Sequence, residues 1–162
     1  MTDIPSAPEP LPPVERLRPG LWTIPVPLPN NSLRYVFVYL FETERGAYLV
    51  DAGWNTEDAY AALTAGLAVA GYAIGDVQGV LVTHIHPDHY GLAGRIREAS
   101  GAWIALHPAD AALVRDRYAE PADLLERVGM MLRRVGAPAD EIATLQRAAM
   151  PVRPFVDAVM PD

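Results

Sequence analysis

The sequence predicts an α+β domain built on a mixed sheet with helices against one face. Three observations lead there: two early β-rich runs joined by a Pro-Asn turn, a β-α-β-α-β alternation after them, and a closing stretch with helical periodicity only. With 162 residues and 51% hydrophobic composition, the chain is sized for one ordinary core.

Residues 1–19 hold Pro5, Pro8, Pro10, Pro12, Pro13 and Pro19, which deny a regular hydrogen-bond ladder, so a loose arm is expected there and structure from Gly20 onward. Leu21 to Leu28 and Leu33 to Phe41 read as a hairpin around Pro29-Asn30-Asn31-Ser32. The run from Tyr35 to Phe41 is apolar at nearly every position, the pattern of a strand covered on both faces. Gly46 to Asp51 gives a short strand stopped at Ala52-Gly53. Asn55 or Thr56 then caps a helix with Glu57 and Asp58 in its first turn and Ala59, Leu63, Leu67 and Ala70 along one stripe, ending at Gly71. Gly79 to Val82 is a strand, Leu92 to Ala99 a helix, Ala102 to Leu106 a strand and Pro108 to Arg117 a helix. Beyond Glu120 only helices are expected, with Leu124, Leu125, Val128, Met131, Leu132 and Val135 on one face, then Ala139 to Ala149, packed on or over the sheet. A Pro-punctuated apolar tail, Pro151 to Val156, follows.

Thirteen Lys and Arg against twenty Asp and Glu leave a net charge of −7 and no basic run, which argues against nucleic acid as a partner. The absence of Cys excludes disulfides, thiolate nucleophiles and Cys-ligated zinc, leaving His, Asp and Glu as the strong metal ligands. The N-terminus lacks the basic start and apolar core of a secretory signal, and no apolar run reaches the roughly 18 residues of a membrane span. A cytoplasmic location without membrane association is expected.

The chemistry concentrates where the strand Val80-Leu81-Val82 ends. His84-Ile85-His86-Pro87-Asp88-His89 holds three of the four histidines and an Asp, a coincidence expected from composition alone with probability on the order of 1 in 10⁴. In an extended segment residues i and i+2 project to the same side, so His84 and His86 can serve one ion. Pro87 ends the strand, and the bend it makes lets Asp88 and His89 turn back toward the same cavity, where they can hold a second ion. Several imidazoles crowded at a strand end would otherwise carry desolvation and mutual repulsion. His107, alone before Pro108, reads as a surface residue at a strand end.

At these residues the chain resembles the metallo-β-lactamase superfamily, whose H-x-H-x-D-H signature is matched by His84, His86, Asp88 and His89. The likeness extends to Val50-Asp51-Ala52-Gly53-Trp54, which stands where that family has a strand ending in an Asp-Gly-type turn one helix upstream. The resemblance implies the N-terminal half of an αββα four-layer sandwich, with His84 and His86 at a first metal, Asp88 and His89 at a second, and Asp51 supporting them. It implies zinc, two ions in the complete protein, with iron or manganese as alternatives that the same donors suit. The family's remaining ligands come from a second half, and this sequence has no His after His107; neither Asp157 nor Asp162 resembles the bridging carboxylate. Two His make an incomplete set for a catalytic zinc, so a fragment of a longer enzyme, or a half that completes itself by pairing, is expected.

The expected activity of the whole protein is hydrolysis of an ester, thioester or lactone by metal-bound hydroxide, with Asp88 orienting the water or taking its proton. The terminal His89 and the lack of Cys side with glyoxalase II-like, lactonase-like and ribonuclease Z-like branches, and the acidic balance disfavours RNA. The expected partners are a small-molecule substrate and, through an uncovered sheet face, a second copy of the chain. Three other readings stay open: an iron-dependent oxidoreductase like the persulfide dioxygenases, a nuclease whose basic surface lies in the missing half, and a metal-binding half without catalysis.

Overall fold

The computed structural model describes residues 10–114, 121–149 and 161–162. Six strands make one open sheet in sequence order: β1 (Glu15–Arg18), β2 (Leu21–Pro27), β3 (Tyr35–Thr43), β4 (Gly46–Val50), β5 (Val77–Val82) and β6 (Trp103–Leu106). The first four are antiparallel neighbours, whereas β4, β5 and β6 run parallel. A parallel pair needs a crossover connection. Here α1 (Glu57–Val69) links β4 to β5, and α2 (Pro87–Tyr90) with α3 (Ala93–Ser100) links β5 to β6. The mixed α+β sheet of the sequence reading is thus the one observed.

Local chemistry sets the element ends. Thr56 caps α1, its side chain accepting from the Ala59 N–H at 3.2 Å, and Gly71 ends the helix at φ +89°. In the β2–β3 turn the Asn31 side chain accepts from the Leu33 N–H at 2.9 Å. Arg34 stands at φ +65°, so β3 starts at Tyr35 and Leu33 belongs to the turn, two residues later than the apolar pattern suggested. β1 is a second correction. Glu15–Arg18 lies within the stretch expected to be loose, yet Arg16 and Arg18 alternate between two prolines, Pro13 and Pro19, that fall just outside the strand and cost no ladder bond.

Every other residue of β2, β3 and β4 points to the helical side. Ile24, Val26, Val38, Leu40, Ala47 and Leu49 meet Leu63 and Leu67 of α1, and Val80, Ile96 and Ile104 extend the same core under α3. Each buried Leu or Ile contributes about 1.5–3 kcal/mol relative to exposure. Helix and sheet approach closely at Gly66, where an added Cβ would lie 2.3 Å from Ile24 Cγ2.

The opposite face is open among the described residues, in keeping with a sheet that carries helices against one face; the second layer that the apolar run of β3 calls for is not among them. Phe37, Tyr39 and Phe41 are each 37% exposed. They run beside Tyr48, Leu81 and Trp103, the last lying over Gly79 and 5.8 Å from the Tyr48 ring. The β3 run is apolar throughout because one side feeds the core and the other builds an aromatic layer. A further correction concerns the final helices. α5 (Pro121–Arg134) packs on α6 (Ala139–Ala149), and among the described residues neither lies substantially on the sheet. Met131 and Val135, expected on the buried face, are 62% and 73% exposed. α4 covers Pro108–Val114, while Arg115 to Arg117, Asp157 and the Pro151–Val156 tail lie outside the described residues. No described helix is long and apolar enough to cross a membrane.

Gly66→Ala is expected to destabilise the fold by about 1–3 kcal/mol, because Ile24 is a β-branched core residue with nowhere to move. Gly75→Ala, whose new Cβ would sit 3.9 Å from the nearest atom, should stay within about 0.5 kcal/mol of the parent chain. Urea denaturation at 25 °C measures both; equal midpoints would refute the close approach of α1 to β2.

Candidate metal centre

The site forms where the parallel strands β4 and β5 end. β4 stops at Val50, and the next residue, Asp51, adopts φ +64°, a left-handed conformation that Asp tolerates better than most residues. This turns the carboxylate inward, where the residue is only 5% exposed. Its backbone N–H still donates to Leu81 O at 2.9 Å, so the turn remains registered to β5.

Past Val82 the chain bends through residues 83–86, with Ile85 buried at 3% exposure and the His84 and His86 rings 4.6 Å apart. The two rings are thus neighbours, although the segment that carries them is bent and not the extended one read from the sequence. Pro87 is the first residue of α2, a single helical turn capped by His86, whose carbonyl accepts from the N–H groups of His89 and Tyr90 at 2.9 Å each. Asp88 and His89 thus belong to a turn of their own, separate from α3, anchored by the buried Tyr90. Two backbone bonds stitch this turn to the Asp51 loop: Ala52 N–H to His89 O at 2.8 Å and Leu92 N–H to Gly53 O at 3.0 Å. Gly91 permits the approach, since a Cβ there would fall 2.4–2.8 Å from three backbone atoms.

Three imidazoles gather as a result. The His84 ring lies 4.1 Å from that of His89 and 4.6 Å from that of His86, centroid to centroid. Asp51 organises them from below: one oxygen accepts the Thr83 N–H at 2.8 Å, the Thr83 hydroxyl lies 2.9 and 3.1 Å from the two oxygens, and His89 Nδ1 is 2.8 Å from Oδ2. On its other side His89 Nε2 sits 3.4 Å from Asp88 Oδ2. The Asp51 hydrogen bond raises the His89 pKa above the usual imidazole value, whereas burial, and then the neighbouring His89 and His86, lower that of His84.

All five residues singled out in the sequence, Asp51, His84, His86, Asp88 and His89, are brought to one place. Their donor atoms do not yet point at one ion: among the described residues no three such groups are disposed to hold a metal together. His89 Nε2 and Asp88 Oδ2, both expected ligands of one ion, lie 3.4 Å from each other. The donor chemistry nonetheless fits a divalent cation, with three imidazoles and a carboxylate in reach and a buried carboxylate orienting one ring from behind. His107 lies apart and exposed, its Nδ1 accepting from the Ala109 N–H at 3.2 Å at the start of α4, as a strand-end residue should. Asp162 is also apart, joined to β6 through Ile104 and paired with Arg97. Thr83 was missed by sequence reasoning; a Thr at the end of a strand carries no signal of its own.

The comparisons agree with this fold. The metallo-beta-lactamase superfamily profile matches residues 32–158, and the chain belongs to that superfamily. A metallo-beta-lactamase family protein from Thermus thermophilus superposes with TM-score 0.70 at 31% identity, over 90% of this chain and 44% of that one. A beta-lactamase domain protein from Burkholderia ambifaria gives TM-score 0.53 at 26% identity, over 62% of this chain and 31% of that one. A metallo-beta-lactamase from Cronobacter sakazakii shares the fold, with TM-score 0.53 at 21% identity over 64% of this chain and 38% of that one. The chain therefore spans less than half the length of these relatives. No curated protein matches it.

Asp51→Ala is expected to cost about 2–4 kcal/mol, since it leaves the Thr83 N–H, the Thr83 hydroxyl and His89 without their shared acceptor. Asp51→Asn keeps one acceptor oxygen and should lose less. Equilibrium unfolding of the metal-free chain tests the order; a harmless Asp51→Ala would contradict it.

Proposed function

We propose that this chain supplies the histidine-rich half of a metal-dependent hydrolase centre that acts on a small ester, thioester or lactone. One observation carries the reading: at the end of β5 the His84 ring lies 4.1 Å from that of His89 and 4.6 Å from that of His86, and His89 is held by the buried Asp51 carboxylate. Membership of the metallo-beta-lactamase superfamily supports metal-dependent hydrolytic chemistry in general.

His84 and His86 would hold one ion, and Asp88 with His89 a second, zinc being favoured and iron or manganese compatible with the same donors. When bound, such a metal supplies a Lewis acid that polarises a carbonyl and acidifies water. The chain's own residues do the rest. Asp51 fixes the His89 ring through Nδ1, leaving Nε2 as its ligating atom. Asp88, whose side chain is about one quarter exposed, would orient a water or take its proton. A net charge of −7 favours a small substrate over a polyanion.

Equilibrium dialysis of the 162-residue chain against zinc, with metal analysis, should show binding that weakens at least about 100-fold in His84→Ala/His86→Ala, with the far-ultraviolet circular dichroism unchanged. Zinc retained at parental affinity by the folded double variant would rule out these ligands. Preferential retention of iron together with oxygen consumption on a thiol substrate would replace hydrolysis by an oxidoreductase reading.

A further inference from the structure

The Thr83 hydroxyl has one hydrogen and two neighbours able to take it. It stands 2.9 and 3.1 Å from the Asp51 carboxylate oxygens and 3.0 Å from His84 Nδ1. Were the hydrogen given to His84, the hydroxyl would face the carboxylate lone pairs at hydrogen-bond distance with nothing between them, a repulsive contact in a partly buried site. The carboxylate accepts only, so the hydroxyl must donate to Asp51 and accept from His84. Nδ1 of His84 therefore carries the hydrogen, and Nε2 is left with its lone pair.

Asp51 holds His89 Nδ1 directly at 2.8 Å, so the same carboxylate addresses two rings, one by contact and one through a hydroxyl. The Thr83 backbone N–H, also bound to Asp51 at 2.8 Å, keeps the hydroxyl in register for this relay. We propose that Thr83 is a positioning residue: it passes the hold of Asp51 on to His84 and fixes the Nδ1–H tautomer that presents Nε2 as the ligating nitrogen. This rests on the reading of His84 as a metal ligand only for its consequence in binding; the tautomer itself belongs to the metal-free chain.

A free neutral imidazole prefers the opposite, Nε2–H form, and which nitrogen is protonated in a protein follows the bond made by the other. Removing the hydroxyl should thus release His84 toward its intrinsic preference. It should leave His89, bonded to Asp51 directly, as it was.

The test is two-bond proton–nitrogen correlation on the metal-free 162-residue chain with ¹⁵N-histidine at a pH above 7.5. In the parent chain His84 is expected to show a protonated Nδ1 and an unprotonated Nε2. In Thr83→Val the pattern should move to Nε2–H or to an average, with His89 unchanged, and Thr83→Ser should restore it. Zinc affinity should fall about 10-fold in Thr83→Val and recover in Thr83→Ser. A His84 pattern identical in the parent chain and Thr83→Val, or already Nε2–H in the parent, overturns the relay. If Thr83→Val does not fold, the parent and Thr83→Ser spectra decide alone, because an Nε2–H tautomer in either one overturns it. A shifted tautomer together with zinc binding indifferent to His84→Ala would uphold the relay and remove the ligand assignment, so the two ideas fail separately.

Discussion

The buried carboxylate of Asp51 is the interaction on which the site depends. It sits one residue beyond β4 in a left-handed conformation and collects an amide, a hydroxyl and an imidazole that come from the far side of a crossover. A buried carboxylate without partners would be too costly to keep, so the segment from Thr83 to His89 is bound to return to it. The backbone bonds of Ala52 and Leu92 tie the same two segments together, so the His-rich turn is referenced to the sheet and not to a free loop.

The parallel part of the sheet explains why these segments meet. β4 and β5 end at the same edge, so the residues that follow them emerge side by side, and the carboxyl ends of adjacent parallel strands are where open α/β sheets build their sites. The α1 and α3 layer needed for the two crossovers lies on one face only, leaving Phe37, Tyr39, Phe41, Leu81 and Trp103 uncovered among the described residues. The same helices thus provide the core and return the chain to the strand edge that carries the histidines.

The cluster also illustrates a difference between proximity and coordination. The rings come together because Ile85, between His84 and His86, and Tyr90, next to His89, are drawn into the core and Pro87 starts a helical turn between them. Where the nitrogens point is decided by other partners: Asp51 and Asp88 for His89, and Thr83 for His84. Apolar burial locates the ligating groups, whereas hydrogen bonds orient them.

Much of this was legible in the sequence, because periodicity and turn chemistry are local. The apolar stripe of α1, its Thr56 cap, the β2–β3 turn and the spacing of His84, His86, Asp88 and His89 each depend on neighbours only a few residues away. The strand at Glu15–Arg18 and the pairing of α5 with α6 were not, since an apolar residue reads the same whether its partner is the core, another helix or solvent. Thr83 shows the limit most clearly. Its importance comes from an acceptor 32 positions away, and only the folded sheet, by ending β4 and β5 at one edge, puts that carboxylate within reach of its hydroxyl.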